Sequence, residues 1–165
     1  MFRTSQFWVF GEYRVEPYRD LLNIDGPVEA SKQRRLPENR IGAAMTRIAA
    51  GNVKLKRAYE AATAADGRRI LVDRLWPRGV KKADAAIDLW LKDLSPSTDL
   101  RKWFGHEPAR WEEFSRRYRA EIDRHPDQLA ELRKLAQSHP ITLVYSAHDE
   151  LHNNAVALRD IILGR

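Results

Sequence analysis

The chain has no cysteine among its 165 residues. Disulfides, thiolate nucleophiles, cysteine-ligated zinc and iron–sulfur clusters are therefore excluded together. It also lacks an apolar run long enough to span a bilayer. Phe7-Trp8-Val9-Phe10 is cut short by Gly11, Glu12 and Arg14, too soon for the apolar core of a secretion signal. These absences give the expectation of a cytoplasmic protein with no membrane partner. Glycines form no phosphate-cradling loop, and no Gly-x-Ser-x-Gly turn is present to raise a nucleophilic serine. Nothing in the sequence implies a cofactor. There is no internal repeat and no low-complexity tract.

What is present is enough for one domain with a tail. Apolar residues make up 43% and charged residues 32%, so a core is affordable and wholesale disorder is not expected. The net charge is +6. Residues 1–52 hold 8 basic and 6 acidic side chains, and residues 53–165 hold 21 and 17. The excess is spread out, not gathered in a basic arm. It raises the case for an anionic partner without naming one, and an ordinary arginine-rich solvated surface is the better explanation of the charge alone.

Residues 1–52 differ from the rest. Gly26, Pro27, Ser31, Pro37 and Asn39 give loop composition without apolar periodicity. Two readings follow. Residues 1–44 are a poorly structured extension, or an upstream start ahead of Met45. Alternatively, Phe7–Val15 adds an edge strand or a hydrophobic clip.

From Val53 the pattern sharpens. Val53, Leu55, Arg57 and Tyr59 alternate with Lys54, Lys56 and Ala58, as on a half-exposed strand. Asp66-Gly67 has turn chemistry and suggests that this strand and the next run antiparallel. Ile70-Leu71-Val72 is continuous and apolar, as in a strand covered on both faces. Ile87–Leu94 fits a strand or a helix face, with the strand preferred. Ser95-Pro96 reads as a helix cap and first position, and Gly105 as the stop. Trp111, Phe114, Tyr118 and Ile122 share one helix face, with Glu112–Arg116 and Glu113–Arg117 at ion-pair spacing. Leu129, Leu132 and Leu135 stripe a second helix between Pro126 and Pro140. Ile141–Tyr145 is a strand. Leu151, Ala155, Leu158, Ile161 and Ile162 face one side of a last helix. The expected fold is an α/β layered domain over 53–165, with a small mixed sheet of about four strands and flanking helices.

Ligands of open α/β sheets gather beyond the carboxyl ends of the strands. Two strands here end in polar loops. In Asp73–Gly79, a type I turn over Trp76–Gly79 would hold Arg78 rigidly. Arg74 and Arg78 offer guanidinium forks for a carboxylate or phosphate, and Asp73 would orient an arginine or act as a base. In Tyr145–Asn154, Asp149 or Ser146 would cap the helix, and His148 is a candidate catalytic acid or base. Ser146, His148 and Asn153 would complete the pocket, with Tyr145 a further ligand-binding candidate. The plainer readings are strand pairing for Asp73 and Arg74, solvation for Arg78, and ordinary capping for the second loop with His148 and His152 on the surface. Ser97 and Thr98 at a third helix start would bind an anion or only cap. His148 and His152 have the i,i+4 spacing of a zinc pair, but Asp149 replaces the required glutamate and no third ligand is indicated, so no metal is expected.

Three stretches carry a family likeness: Leu71-Val-Asp-Arg-Leu-Trp-Pro-Arg-Gly79, Leu94-Ser-Pro-Ser-Thr-Asp-Leu-Arg-Lys-Trp-Phe104, and Thr142-Leu-Val-Tyr-Ser-Ala147 with Asn153 beyond. Through them, Val53–Gly164 resembles the YeaO-like family, a bacterial domain of unknown function (DUF488). The resemblance implies an α/β domain, leaves residues 1–52 outside it and implies no agreed activity. Some distant relatives carry a Cys/His-rich loop after the last strand, and this chain has no cysteine with which to match it. Three functional readings stay open. They are an enzyme or binding protein for a small anionic ligand, a nucleic-acid-binding protein, and a non-catalytic interaction module. The substrate and the oligomeric state are not legible.

Overall fold

The computed structural model describes residues 47–165. Both readings of residues 1–44 lie outside that span.

Four strands form one sheet: β1 (Val53–Arg57), β2 (Arg68–Leu71), β3 (Leu89–Trp90) and β4 (Ile141–Tyr145), in the order β1-β4-β2-β3. All the pairings are parallel. The layered α/β architecture with four strands matches the sequence reading, but the strand sense does not. Asp66-Gly67 makes no hairpin, because β4 lies between β1 and β2 and pairs with both. Residues 58–67 must return the length of the sheet before β2 begins, and a short 3-10 turn, Ala64–Asp66, ends that return. Gly67 is needed there for another reason. Its φ is 65°, and a Cβ would lie 2.1 Å from the Pro140 carbonyl oxygen. That carbonyl accepts from Arg68 N–H at 3.0 Å.

The two apolar runs explain the parallel core. All five residues of β4 are buried, as are Ile70, Leu71 and Val72. One sheet face is covered by α2 (Thr98–Phe104), α3 (Trp111–Ile122), α4 (Pro126–Ser138) and α5 (Asn154–Leu163). Phe114, Tyr118 and Ile122 form the buried stripe of α3, as their spacing predicts. Each such side chain contributes about 1.5–3 kcal/mol when taken out of water. On the other face, Leu71 and Val144 meet Ala58, Trp76, Val80, Ile87 and Trp90. The same face holds a charged cluster. Asp66 contacts Arg69 and accepts from Lys56 at 2.9 Å, and the Thr142 hydroxyl donates to the Asp66 carbonyl at 2.6 Å.

Several local details differ from expectation. Ser95 does not cap a helix. Its buried hydroxyl donates to the Val72 carbonyl at 2.9 Å, and Ser97 caps α2 by accepting from Leu100 N–H. Pro96 therefore precedes the cap. A one-turn helix, α1 (Lys82–Ala85), precedes β3. Glu113 takes both Arg116 and Arg117, so Glu112 is not the partner of Arg116. Leu151 is 72% exposed and precedes α5. Ahead of Val53, Ile48 packs on the core, and Asn52 donates to the Ala136 carbonyl at 2.9 Å.

Candidate functional site

The parallel register sets Leu71 beside Val144 at the ends of β2 and β4. Two residues on, Asp73 and Ser146 emerge together. Asp73 Oδ2 accepts from Ser146 N–H at 2.8 Å and from the Ser146 hydroxyl. Its Oδ1 accepts from Asn154 Nδ2 at 3.2 Å, and the same amide reaches the Val72 carbonyl at 2.9 Å. Asp73 thus joins the ends of two strands and the first turn of α5.

The loop that follows is fastened at several points. Trp90 Nε1 donates to the Asp73 carbonyl at 2.7 Å, and Trp76 Nε1 to the Val80 carbonyl at 2.7 Å. The two indoles meet edge to face, 5.4 Å between centroids. Val80 N–H closes a turn onto the Pro77 carbonyl at 3.3 Å. The turn is therefore Pro77–Val80, not Trp76–Gly79. It places Gly79 third at φ 78°, the position where a type II turn requires a positive φ. From this fixed loop Arg74, Leu75 and Arg78 project into solvent.

A cleft of about 270 Å3 opens beside the loop. Its charged and polar lining is Asp73, Arg74, Arg78, Arg101, His106, Ser146 and Asn154. Apolar surface comes from Tyr59, Leu75, Trp76, Pro77, Pro96, Phe104, Phe114 and Ala147. Arg101 and Phe104 lie one turn apart on α2, so the helix sends a guanidinium and a ring to the same side. Asp73 is the sole acidic side chain among these lining residues. Arg74, Arg78 and Arg101 make no ion pair or side-chain hydrogen bond with any described residue.

The sequence candidates divide. Asp73, Arg74, Arg78 and Ser146 come together in the cleft. Ser97, Tyr145, His148 and Asn153 do not line it. Ser97 caps α2, and its N–H donates to Glu121 at 2.8 Å. Asn153 is buried and caps α5: its oxygen accepts from Val156 N–H at 3.1 Å and its amide donates to the Asp149 carbonyl at 2.8 Å. Neither Asp149 nor Ser146 has that role. Asp149 instead accepts from the N–H groups of Leu151 and His152, and its other oxygen holds the His152 ring at 2.9 Å. Those hydrogen bonds, from His152 N–H first, then the His152 ring, then Leu151 N–H, hold its carboxyl below the usual range. His148 is exposed. Burial pushes the Tyr145 phenol up, with Glu150 and Glu60 acting in the same sense. No group of three metal-ligating side chains occurs among the described residues.

Arg101, His106 and Asn154 were missed by sequence reasoning. Arg101 lies within the Leu94–Phe104 stretch, where its spacing to Phe104 was the available signal. Asn154 stands one residue past the cap, and only the position of that cap reveals its direction.

Residues 52–165 match the family described as "Inactive DUF488-N3 subclade". The chain is 46% identical over 109 residues to the uncharacterized protein YeaO of Escherichia coli, covering 66% of this chain and 95% of that one. It is 40% identical over 113 residues to an uncharacterized protein of Mycobacterium tuberculosis, covering 68% of this chain and 95% of that one. No solved structure matches. No helix among the described residues is long and apolar enough to cross a membrane. The match across the whole α/β domain, cleft included, makes this chain a member of the YeaO-like DUF488 family.

Proposed function

We propose that this domain binds a small anion in the cleft beyond β2 and β4, as a binding protein and not as a catalyst. One observation carries the reading: Arg74, Arg78 and Arg101 surround the cleft without a carboxylate partner. Guanidinium forks left free around a concave, partly apolar surface suit a carboxylate or phosphate head. His106 adds a further donor on the same lining.

Like His106, Asp73 is a lining residue of a type suited to proton transfer. Its oxygens are occupied by Ser146 and Asn154, which suits a structural tie better than a base. The word "inactive" in the description of the matching subclade supports the same preference. On this reading Arg78 and Arg74 hold the anion, Arg101 closes the far side, and Asp73 keeps the loop in place.

The test is thermal stability against a panel of carboxylates and phosphates at low salt, repeated with Arg78→Ala. A ligand at a hundredfold its Kd stabilises the native state by about 2.7 kcal/mol. The wild-type shift should be lost in the variant while the ligand-free melting temperatures agree. Equal shifts in both proteins would remove the assignment. A nucleic-acid partner would announce itself differently, through oligonucleotide binding that weakens steeply and linearly on a log–log plot against salt.

A further inference from the structure

Building on the anion-binding reading, we infer that the natural ligand is an organic oxyanion carrying an apolar body of about one ring, not a bare inorganic ion. The cleft volume is the first reason. At about 270 Å3, it holds roughly nine waters at their share of liquid volume of about 30 Å3 each. A tetrahedral oxyanion seated on the arginines leaves much of that space unfilled.

The lining is the second reason. Tyr59 is 52% exposed and Leu75 59% exposed, and both line the cleft. They are two of the three large apolar side chains left exposed among the described residues. Exposed apolar groups scattered singly are ordinary, but a pair at the mouth of one cleft marks a contact surface. Below them the buried rings of Phe104 and Phe114 complete an apolar wall. Arg74 and Arg78 flank Leu75 in the same fastened loop. One ligand can therefore bring its charge to the guanidinium groups and its apolar body to Leu75 and Tyr59.

Matched probes test this by calorimetric titration of the full chain: phenyl phosphate against inorganic phosphate, benzoate against acetate, and benzyl alcohol as the uncharged ring. In at least one pair the aromatic member should bind about tenfold tighter, from apolar area removed from water. The double variant Tyr59→Ser with Leu75→Ser should erase that advantage and keep the affinity for the simple anion. Both residues are exposed, so the fold should survive, and a far-UV spectrum checks it. Equal affinities within both pairs would overturn the organic-ligand inference and leave the anion site standing. Benzyl alcohol binding as tightly as the charged aromatics, or no probe binding at all, would overturn both.

Discussion

Asp73 accepts hydrogen bonds from both the backbone N–H and the hydroxyl of Ser146, across the carboxyl ends of two neighbouring strands. This pair fixes where the Arg74–Arg78 loop leaves the sheet. Removing the carboxylate by Asp73→Ala leaves Ser146 N–H and the Asn154 amide each short of an acceptor in partly buried surroundings. Such a loss costs about 1–3 kcal/mol. Urea denaturation should show a lower midpoint with an unchanged slope. An unchanged midpoint would mean that the loop is held without this contact.

Gly67 and Gly79 both have positive φ, and their substitutions should nonetheless differ. Gly67→Ala places a methyl against the Pro140 carbonyl as well as in a left-handed conformation. The strand start must shift, at about 3 kcal/mol or more. Nothing lies within 4 Å of the corresponding point at Gly79. Gly79→Ala should then cost only the conformational strain, about 1–2 kcal/mol. Thermal melts of the two variants give the order directly, and equal losses would contradict the close approach at Gly67.

Much of this fold is legible from residue pattern. The Phe114-Tyr118-Ile122 stripe, the apolar run Ile141–Tyr145 and the proline at the start of α4 each act locally, so spacing alone reveals them. Strand sense is not local. Asp66-Gly67 has the composition of a hairpin turn, yet its glycine answers to Pro140, more than seventy positions away. The choice between two candidate caps is non-local for a similar reason. Ser95 and Ser97 are both acceptable caps by type, and only the Val72 carbonyl beside Ser95 decides between them. At the cleft, Asp73, Arg74 and Ser146 stand at strand ends, where topology places ligands in any parallel sheet. Arg101 and His106 arrive from an element that no spacing connects to those strands.

Asp66 gives the pH dependence. Burial pushes its carboxyl up, but hydrogen bonds from Thr63, Lys56 and Arg69 outweigh that effect and hold it well below its ordinary 3.8. A depressed folded value means that this stabilisation is fully present above the unfolded value and is lost as the pH falls below about 4 toward the folded one. The side chains of Asp66 and Arg69 are only 7% and 4% exposed. Asp66→Asn therefore strands a buried guanidinium, at about 3–5 kcal/mol near neutrality. Stability measured from pH 6 down to pH 2 should fall in the wild type and run flatter in the variant. Parallel curves would assign the acid sensitivity elsewhere.

Asn154 offers a sharper probe of the same strand junction. Its amide donates at once to the Val72 carbonyl and to Asp73 Oδ1. Asn154→Asp keeps the shape, removes both donors and sets a second carboxylate against the first. At neutral pH the loss should reach about 1–3 kcal/mol from the unpaired acceptors, with like-charge repulsion added. Acid should relieve part of it, because one proton shared between the two carboxylates restores a donor. The gap in denaturation midpoint between variant and wild type is therefore expected to narrow from pH 7 to pH 5. Asn154→Ala removes the donors without adding charge, and its gap should not narrow over that interval. If both variants follow the same pH course, the Asn154–Asp73 contact is not what orders the end of β2.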